Sequence, residues 1–199
     1  MVALALWLVV GLGAAEPKRI IFFGDSLTAG LGLDSLDEAF PAIIQQKLDA
    51  AGKSARVVNA GLSGETTAGG LRRLDWILRQ PVDIFVLELG GNDGLRGIPV
   101  ETSRANLQAM IDRIRAKYPH AVVVLAGMQI PTNLGPDYTR QFAAMYPELA
   151  AKNQVALIPF LLEGVGGVAR LNQPDGIHPT AEGHRKVADN VWRTLKDLL

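Results

Sequence analysis

The chain has 199 residues, which is enough for one sizeable hydrophobic core. Its 20 Lys and Arg residues balance 20 Asp and Glu residues, so no net charge draws it to nucleic acid, and we expect no nucleic-acid partner. The absence of cysteine excludes disulfides, thiolate metal sites and a cysteine nucleophile.

An apolar segment, 2–12, begins the chain and is followed by Gly13, Ala14 and Ala15 before the first charged residue, Glu16. This pattern is typical of a secretory signal peptide cleaved after Ala15. It predicts a signal at 1–15, a mature domain at 16–199 and a periplasmic or secreted protein without stable membrane insertion after cleavage. The alternative is an uncleaved interfacial anchor, since the segment is too short to span a bilayer comfortably.

Five short apolar segments then alternate with segments of helical periodicity. The predicted strands are 19–23, 55–59, 83–89, 121–126 and 155–159. The predicted helices run from 37 or 38 to 51, from the turn 61–67 to 80, over 102–117 and 138–153, and from an N-cap at Thr180 to the end. Such alternation indicates a parallel sheet covered on both faces. We predict one three-layer α/β/α domain of flavodoxin-like type, with five strands in the order 2-1-3-4-5.

The loops at one edge of this sheet carry polar side chains. In doubly wound sheets the functional crevice lies outside the carboxyl ends of the strands, where the strand order reverses. The loops after the first three strands hold Ser26, Gly64 and Asn92, and the loop before the last helix holds Asp175 and His178. The predicted topology therefore brings these five residues to one place.

Ser26 follows the first strand directly, on a turn that would leave its hydroxyl open to solvent. A serine there often does no more than cap a helix or turn. As a nucleophile it needs a base within hydrogen-bond reach, and His178 is a candidate because imidazole suits general base catalysis near neutral pH. Asp175 could orient the imidazole through its other ring nitrogen. These three residues are the predicted catalytic set.

A tetrahedral intermediate also needs hydrogen-bond donors directed at its oxyanion. The candidates are the backbone N–H groups of Ser26 and Gly64 and the side-chain amide of Asn92. Gly64 suits this role because a residue without Cβ lets the substrate approach its N–H group.

Together these segments resemble the four sequence blocks of the GDSL (SGNH) hydrolases. The matching segments are Gly24-Asp25-Ser26-Leu27, Gly64, Gly91-Asn92-Asp93 and Asp175-Gly176-Ile177-His178-Pro179. Two further stretches, 90–97 and 138–142, look closest to the bacterial thioesterase I, lysophospholipase L1 and arylesterase group. The resemblance implies hydrolysis of acyl thioesters, aryl esters or lysophospholipids by an acyl-enzyme on Ser26, with no cofactor and no metal. The partner is then a small acyl ester or thioester, and we expect a monomer.

Two loops beside the predicted crevice mix glycine and proline with aliphatic residues, as a mobile apolar wall would. They supply most of the predicted substrate-binding residues, which are Leu95, Arg96, Ile98, Ile130, Leu134 and Tyr138. The alternative is that the aliphatic residues pack onto the domain and the pocket accepts a short acyl group, as in a carbohydrate or aryl acetylesterase of the same fold.

Other classes of function fit the sequence less well. An α/β-hydrolase has a G-x-S-x-G elbow, but Thr28 stands at the place of its second glycine. A metal-dependent phosphoesterase needs more converging His and Asp ligands than His178, His184 and Asp175 supply. A non-catalytic flavodoxin-like binding module would hold a phosphate in the first loop, where Asp25 would repel it. His184 lies at helical spacing with Val187 and Val191 and is predicted to be a packed core histidine.

Overall fold

A five-stranded parallel β-sheet forms the centre of the computed structural model, which describes residues 16–199. The strands are β1 (Lys18–Gly24), β2 (Ala55–Gly61), β3 (Ile84–Glu88), β4 (Val122–Ala126) and β5 (Ala156–Ile158). Their order is β2-β1-β3-β4-β5 and every neighbouring pair is parallel, as the sequence predicts. The predicted export signal at 1–15 lies outside the described residues.

Seven α-helices accompany the sheet within this range. They are α1 (Ser26–Ala29), α2 (Phe40–Ala50), α3 (Thr67–Ile77), α4 (Gly91–Leu95), α5 (Val100–Lys117), α6 (Pro136–Asn153) and α7 (Ala181–Leu195). Helix α2 packs against α7, while α5 packs against both α3 and α6, so helices cover both faces of the sheet. The predicted three-layer α/β/α architecture is confirmed. None of the described helices has the length and apolar character needed to cross a membrane.

The core lies between the two central strands and these helices. Ile20, Ile21, Phe22 and Phe23 of β1 are buried, and so is every residue of β3. Burial on both faces explains why these strands are continuous apolar runs rather than alternating ones. One residue breaks the run: Glu88, the last residue of β3, is completely buried.

The two short helices α1 and α4 lie where the sequence predicted turns and loops. Helix α1 begins because the Asp25 carboxylate accepts a hydrogen bond from the Leu27 N–H at 3.0 Å, and it ends at Gly30 with a φ of 81°. Helix α4 follows Gly90, whose φ of 118° is accessible to glycine and strained for other residues. Single turns of this length leave no periodic pattern in the sequence.

Two longer helices begin two residues earlier than predicted. Helix α5 starts at Val100, directly after Pro99, and α6 starts at Pro136. Pro136, at the first position of α6, lacks an N–H group that would have no partner there, and its φ already suits a helix. In α5, Pro99 is the N-cap residue. The closing helix has the predicted N-cap, since the Thr180 side chain accepts a hydrogen bond from the Gly183 N–H at 3.2 Å.

Candidate active site

Ser26 is the first residue of α1 and stands directly after the central strand β1. It is 7% exposed, so the expectation of an open surface turn is wrong: the side chain lies at the bottom of a crevice. The register of the sheet places Gly24 beside Gly61 of β2 and Glu88 of β3, at the carboxyl edge. The serine hydroxyl is thereby delivered to the place where strand order reverses.

The imidazole of His178 lies between Ser26 and Asp175. Its Nε2 atom is 2.8 Å from the Ser26 Oγ, and its Nδ1 atom is 2.6 Å from Asp175 Oδ2. The other Asp175 oxygen, Oδ1, accepts backbone N–H groups of Ile177 at 2.9 Å and His178 at 3.0 Å. The carboxylate therefore holds both the backbone and the ring of the histidine.

These contacts also set the charge of Asp175. The hydrogen bond from the His178 side chain, followed by those from the His178 and Ile177 backbone, lowers the pKa of Asp175 to about 2. It is thus a carboxylate at neutral pH, although 45% of its side chain is exposed. A serine, an imidazole and a carboxylate in line form the arrangement used for nucleophilic acyl transfer.

The predicted oxyanion donors come together beside Ser26. The Asn92 side-chain amide, in α4, donates to Asp25 Oδ2 at 3.1 Å and to the Glu65 carbonyl at 3.0 Å. Glu65 follows Gly64, whose φ is 79° and whose carbonyl accepts a hydrogen bond from Arg96 at 3.1 Å. A Cβ added at Gly64 would meet no heavy atom closer than 4.0 Å, so the space where a side chain would stand is open.

A cavity of about 580 Å³ opens beside Ser26 and His178. Of the six predicted substrate-binding residues, Leu95 and Ile130 line it. The other four, Arg96, Ile98, Leu134 and Tyr138, are not among the residues that line it.

These four residues make contacts with other parts of the chain. The Tyr138 hydroxyl donates to the Ile98 carbonyl at 2.6 Å, which joins these two residues to each other. Arg96 is bonded to Gly64, and Leu134 lies over Gly97. These contacts join the segment 96–98 to Gly64 and to the first turn of α6.

The apolar residues of the wall that were missed from the sequence include Met128, Phe160 and Leu162. They follow β4 and β5, so the topology that placed Ser26, Gly64 and Asn92 at the carboxyl edge also placed them there. The position of these residues after a strand was the sequence feature that could have predicted their role. Nothing in their local sequence distinguishes a residue of a cavity wall from one of the core.

Two buried carboxyl groups lie beneath the nucleophile. Asp25 is 2% exposed, and burial raises its pKa to about 6, against the hydrogen bond from Leu27. Burial, and next the neighbouring Asp25, raise the pKa of Glu88 well above its usual range. The sequence assigned no role to Glu88.

His184 is buried in α7, as predicted. Its Nδ1 accepts the backbone N–H of Phe40 at 3.2 Å, and its ring stacks on the Phe40 ring. Burial, with a smaller effect from His178, lowers its pKa to about 4. It is therefore a neutral structural residue at physiological pH. Among residues 16–199, no three His, Asp or Glu side chains are grouped as a metal site would require.

Comparison with known proteins agrees with this geometry. The model of the GDSL-like lipase/acylhydrolase family matches residues 22–186, which include all five predicted catalytic and oxyanion residues. The chain belongs to this family.

Relatives of this GDSL-family chain include the esterase TesA of Pseudomonas aeruginosa, 45% identical over 98% of this chain and 96% of the relative. Thioesterase 1/protease 1/lysophospholipase L1 of Escherichia coli is 36% identical over 94% of this chain and 87% of its own. Family membership and these relatives confirm the prediction of an ester or thioester hydrolase of the SGNH type.

Solved structures show the same fold. The crystal structure of TesA superposes with a TM-score of 0.87 at 45% identity, covering 92% of this chain and 100% of the other. The psychrotrophic esterase EstA from Pseudoalteromonas, in a structure inhibited by monoethylphosphonate, has a TM-score of 0.85 at 33% identity and covers 90% of this chain and 97% of its own.

Proposed function

We propose that this chain is a serine hydrolase that cleaves carboxylic esters and thioesters of medium-length acyl groups through an acyl-enzyme on Ser26. The observation that carries the proposal is the hydrogen-bonded line from Ser26 Oγ to His178 Nε2, at 2.8 Å, and from His178 Nδ1 to Asp175, at 2.6 Å. These distances lie within the range needed for proton transfer between a nucleophile and its base.

In the first half-reaction the Ser26 Oγ attacks the acyl carbonyl and its proton passes to His178 Nε2. Asp175 accepts the Nδ1–H throughout, which fixes the tautomer and stabilises the imidazolium. When the tetrahedral intermediate collapses, the bond to the leaving group breaks and His178 returns the proton to the departing alcohol or thiol. In the second half-reaction, His178 Nε2 takes a proton from the water that attacks the acyl carbonyl. It returns this proton to Ser26 Oγ as the bond between the acyl group and Ser26 breaks and the carboxylic acid is released.

The oxyanion of each tetrahedral intermediate is placed against the N–H groups of Ser26 and Gly64 and the Asn92 amide. The open space beside Gly64 supports this role. So does the position of Ser26 as the first residue of α1, because the first N–H groups of a helix have no partner within it. Donors of this kind stabilise charge that develops in the transition state, and the loss of one costs about 10²–10³-fold in rate.

The size and chemistry of the cavity support a medium-length acyl group. A volume of about 580 Å³ lies within the range of sites for small organic ligands and exceeds what an acetyl group fills. Leu95, Met128, Ile130, Phe160 and Leu162 give it an apolar wall. The names of the relatives include an esterase, a thioesterase and a lysophospholipase, which favours tolerance towards the leaving group.

The decisive test is covalent labelling. A fluorophosphonate should add one phosphonyl group to the wild-type protein, at Ser26, as mass spectrometry of the intact chain and its peptides can show. Ser26→Ala should abolish both labelling and hydrolysis of p-nitrophenyl octanoate. Ser54→Ala, at an exposed serine just before β2, is the matched control and should retain both.

A flavodoxin-like binding module would show neither labelling nor turnover, and hydrolysis that survives Ser26→Ala would remove the serine from its role. An acetylesterase would hydrolyse acetate faster than octanoate. Export with cleavage after Ala15 and a monomeric state remain predictions, which N-terminal sequencing of the secreted protein and analytical ultracentrifugation would test.

A further inference from the structure

Glu88 lies directly beneath the turn that carries Ser26. It ends β3, is 0% exposed, and its Oε2 accepts the backbone N–H of Asp25 at 3.2 Å. The same oxygen is 2.7 Å from the Thr28 hydroxyl. One carboxyl oxygen therefore bonds the turn on both sides of the proposed nucleophile.

The glycine of the first motif makes room for this contact. A Cβ added at Gly24 would lie 2.3 Å from Glu88 Oε2 and 2.2 Å from the Thr28 hydroxyl oxygen, far inside van der Waals distance. Any larger residue at position 24 would displace the carboxyl or the turn. The contact between Glu88 and Thr28 thus requires a residue without a side chain at position 24.

Filling the core does not explain Glu88. The other four residues of β3 are Ile84, Phe85, Val86 and Leu87, and an apolar residue at 88 would continue this run without a desolvation cost. The Oε1 atom of Glu88 receives no hydrogen bond from any residue in the range 16–199. Burying a carboxyl group with one oxygen that has no hydrogen-bond partner lowers the stability of the folded protein. Any favourable contribution of Glu88 must therefore come from the hydrogen bonds to its Oε2.

We propose that Glu88 is a positioning residue, which fixes the Asp25–Thr28 turn from inside the sheet and thereby holds the Ser26 hydroxyl in line with His178. The proposal rests on the proposed role of Ser26 as the nucleophile. Glu88 touches neither the cavity nor the reacting atoms and acts through the turn.

The contact at Oε2 needs an acceptor and no charge, since a carbonyl oxygen can accept from the Asp25 N–H and the Thr28 hydroxyl. Of the titratable groups, the neighbouring Asp25 disfavours the charged form of Glu88, and Glu88 in turn raises the pKa of the buried Tyr146. Neither group offers Glu88 a positive charge. Burial, and next the neighbouring Asp25, raise the pKa of Glu88 well above its usual range, which favours the neutral acid. A glutamine has the same shape and the same carbonyl acceptor and should replace it.

The test compares Glu88→Gln with Glu88→Met, which keeps the length of the side chain and removes the acceptor. Glu88→Gln should retain at least half of the wild-type kcat for p-nitrophenyl octanoate. Glu88→Met should lower kcat and the rate of fluorophosphonate labelling by about tenfold or more while KM changes less than about twofold, because a misplaced nucleophile reacts slowly with a normally bound substrate.

Thr28→Val removes the hydroxyl from the other side of the same contact and keeps the shape of the residue. It should also slow labelling, and combined with Glu88→Met it should add little further loss, because both changes break one contact. Leu107→Ala in α5 is the control for lowered stability alone, since Leu107 is buried at a distance from the turn. Its labelling rate should match the wild type at a temperature where circular dichroism shows both folded.

Folded Glu88→Met with wild-type kcat and labelling rate would overturn the proposal, and so would Glu88→Gln as slow as Glu88→Met. If Glu88→Met does not fold, Thr28→Val decides: an unchanged labelling rate overturns the proposal and a slowed one supports it. Ser26→Ala separates this test from the function itself, because hydrolysis surviving that change would refute the nucleophile, whatever the Glu88 variants do.

Discussion

The side-chain amide of Asn92 lies 3.1 Å from the Asp25 carboxylate and donates a hydrogen bond to it. Its second N–H donates to the Glu65 carbonyl at 3.0 Å. Both hydrogens of the amide are therefore engaged before substrate arrives, and the group is held rigidly beside Ser26. To bond an oxyanion, it must share or release one of these two partners.

Asp25→Asn should therefore impair the oxyanion donor. One oxygen of Asp25 accepts a hydrogen bond from the Leu27 N–H, and the other accepts one from the Asn92 amide. An asparagine at position 25 that still accepts from Leu27 would direct its own NH₂ group, a donor, at the NH₂ group of Asn92. We expect a fall in kcat of about 10-fold to 10²-fold, against about 10²–10³-fold for Asn92→Ala, with KM little changed in both. Steady-state kinetics of the two variants and their combination measures this.

In the double variant, Asp25→Asn should cost almost nothing beyond Asn92→Ala, because its effect passes through that side chain. Fully additive losses would show that Asp25 acts by another route, and an unchanged kcat in Asn92→Ala would remove Asn92 from the oxyanion site.

Asp175→Asn should slow hydrolysis by about 10²–10³-fold. The amide can no longer accept from His178 Nδ1–H and from two backbone N–H groups at once, which favours the wrong tautomer; in serine proteases the same change costs about 10⁴-fold. We expect less here because the Asp175 side chain is 45% exposed and water screens it. Single-turnover acylation with p-nitrophenyl octanoate measures the step. Asp137→Asn, at an exposed aspartate in the first turn of α6, is the control and should leave the rate unchanged.

The acyl wall can be tested with two exposed leucines. Leu95 is 46% exposed and lines the cavity, whereas Leu134 is 41% exposed and lies outside it. Leu95→Asp should lower kcat/KM for p-nitrophenyl octanoate by about tenfold or more and affect acetate little, because each methylene buried contributes up to about 0.8 kcal/mol. Leu134→Asp should leave both substrates near wild type. Equal effects of the two substitutions would place the acyl chain elsewhere, and so would a wild-type preference for acetate.

His184 should make the fold sensitive to acid. Its pKa is lowered from 6.5 to about 4 in the folded protein, so the unfolded chain binds an extra proton between these values. The free energy of unfolding should then fall as pH drops from 6.5 towards 4, by up to about 3 kcal/mol from this group. His184→Asn keeps an acceptor for the Phe40 N–H and should remove this dependence.

Urea unfolding of both proteins between pH 4 and pH 8 measures the difference in stability. Contributions from Asp25 and Glu88 are present in both chains and cancel in that difference. Parallel curves for the two proteins would mean that His184 does not titrate with unfolding.

The sequence predicted best those strands and helices that are determined by residues close together in the chain. The apolar runs 19–23 and 83–89 became the buried central strands β1 and β3, and Thr180 capped α7, because hydrophobic run length and a capping hydroxyl act over a few residues. The strand order then followed from general rules of handedness and brought the proposed catalytic residues together.

What could not be predicted depends on contacts between distant segments. Ile98 and Leu134 are aliphatic residues in Gly- and Pro-containing loops, as a cavity wall would have, yet neither lines the cavity. Phe160 and Leu162, which do line the cavity, have no distinguishing pattern. Glu88 is one acid at the end of an apolar run, and its partners Asp25 and Thr28 are about 60 residues away along the chain.

Ser26 and His178 belong to parts of the molecule that differ in their resistance to local opening. Ser26 follows β1, which is hydrogen-bonded to strands on both sides. His178 lies in the long connection from β5 to α7, where a Cβ added at Gly167 or Gly176 would meet no atom of a more distant residue within 4 Å. Such loosely packed segments open with a lower free energy than a central strand and exchange their amide hydrogens sooner. On warming, catalysis should therefore cease while the sheet is still intact, and the cooled protein should recover without having to refold.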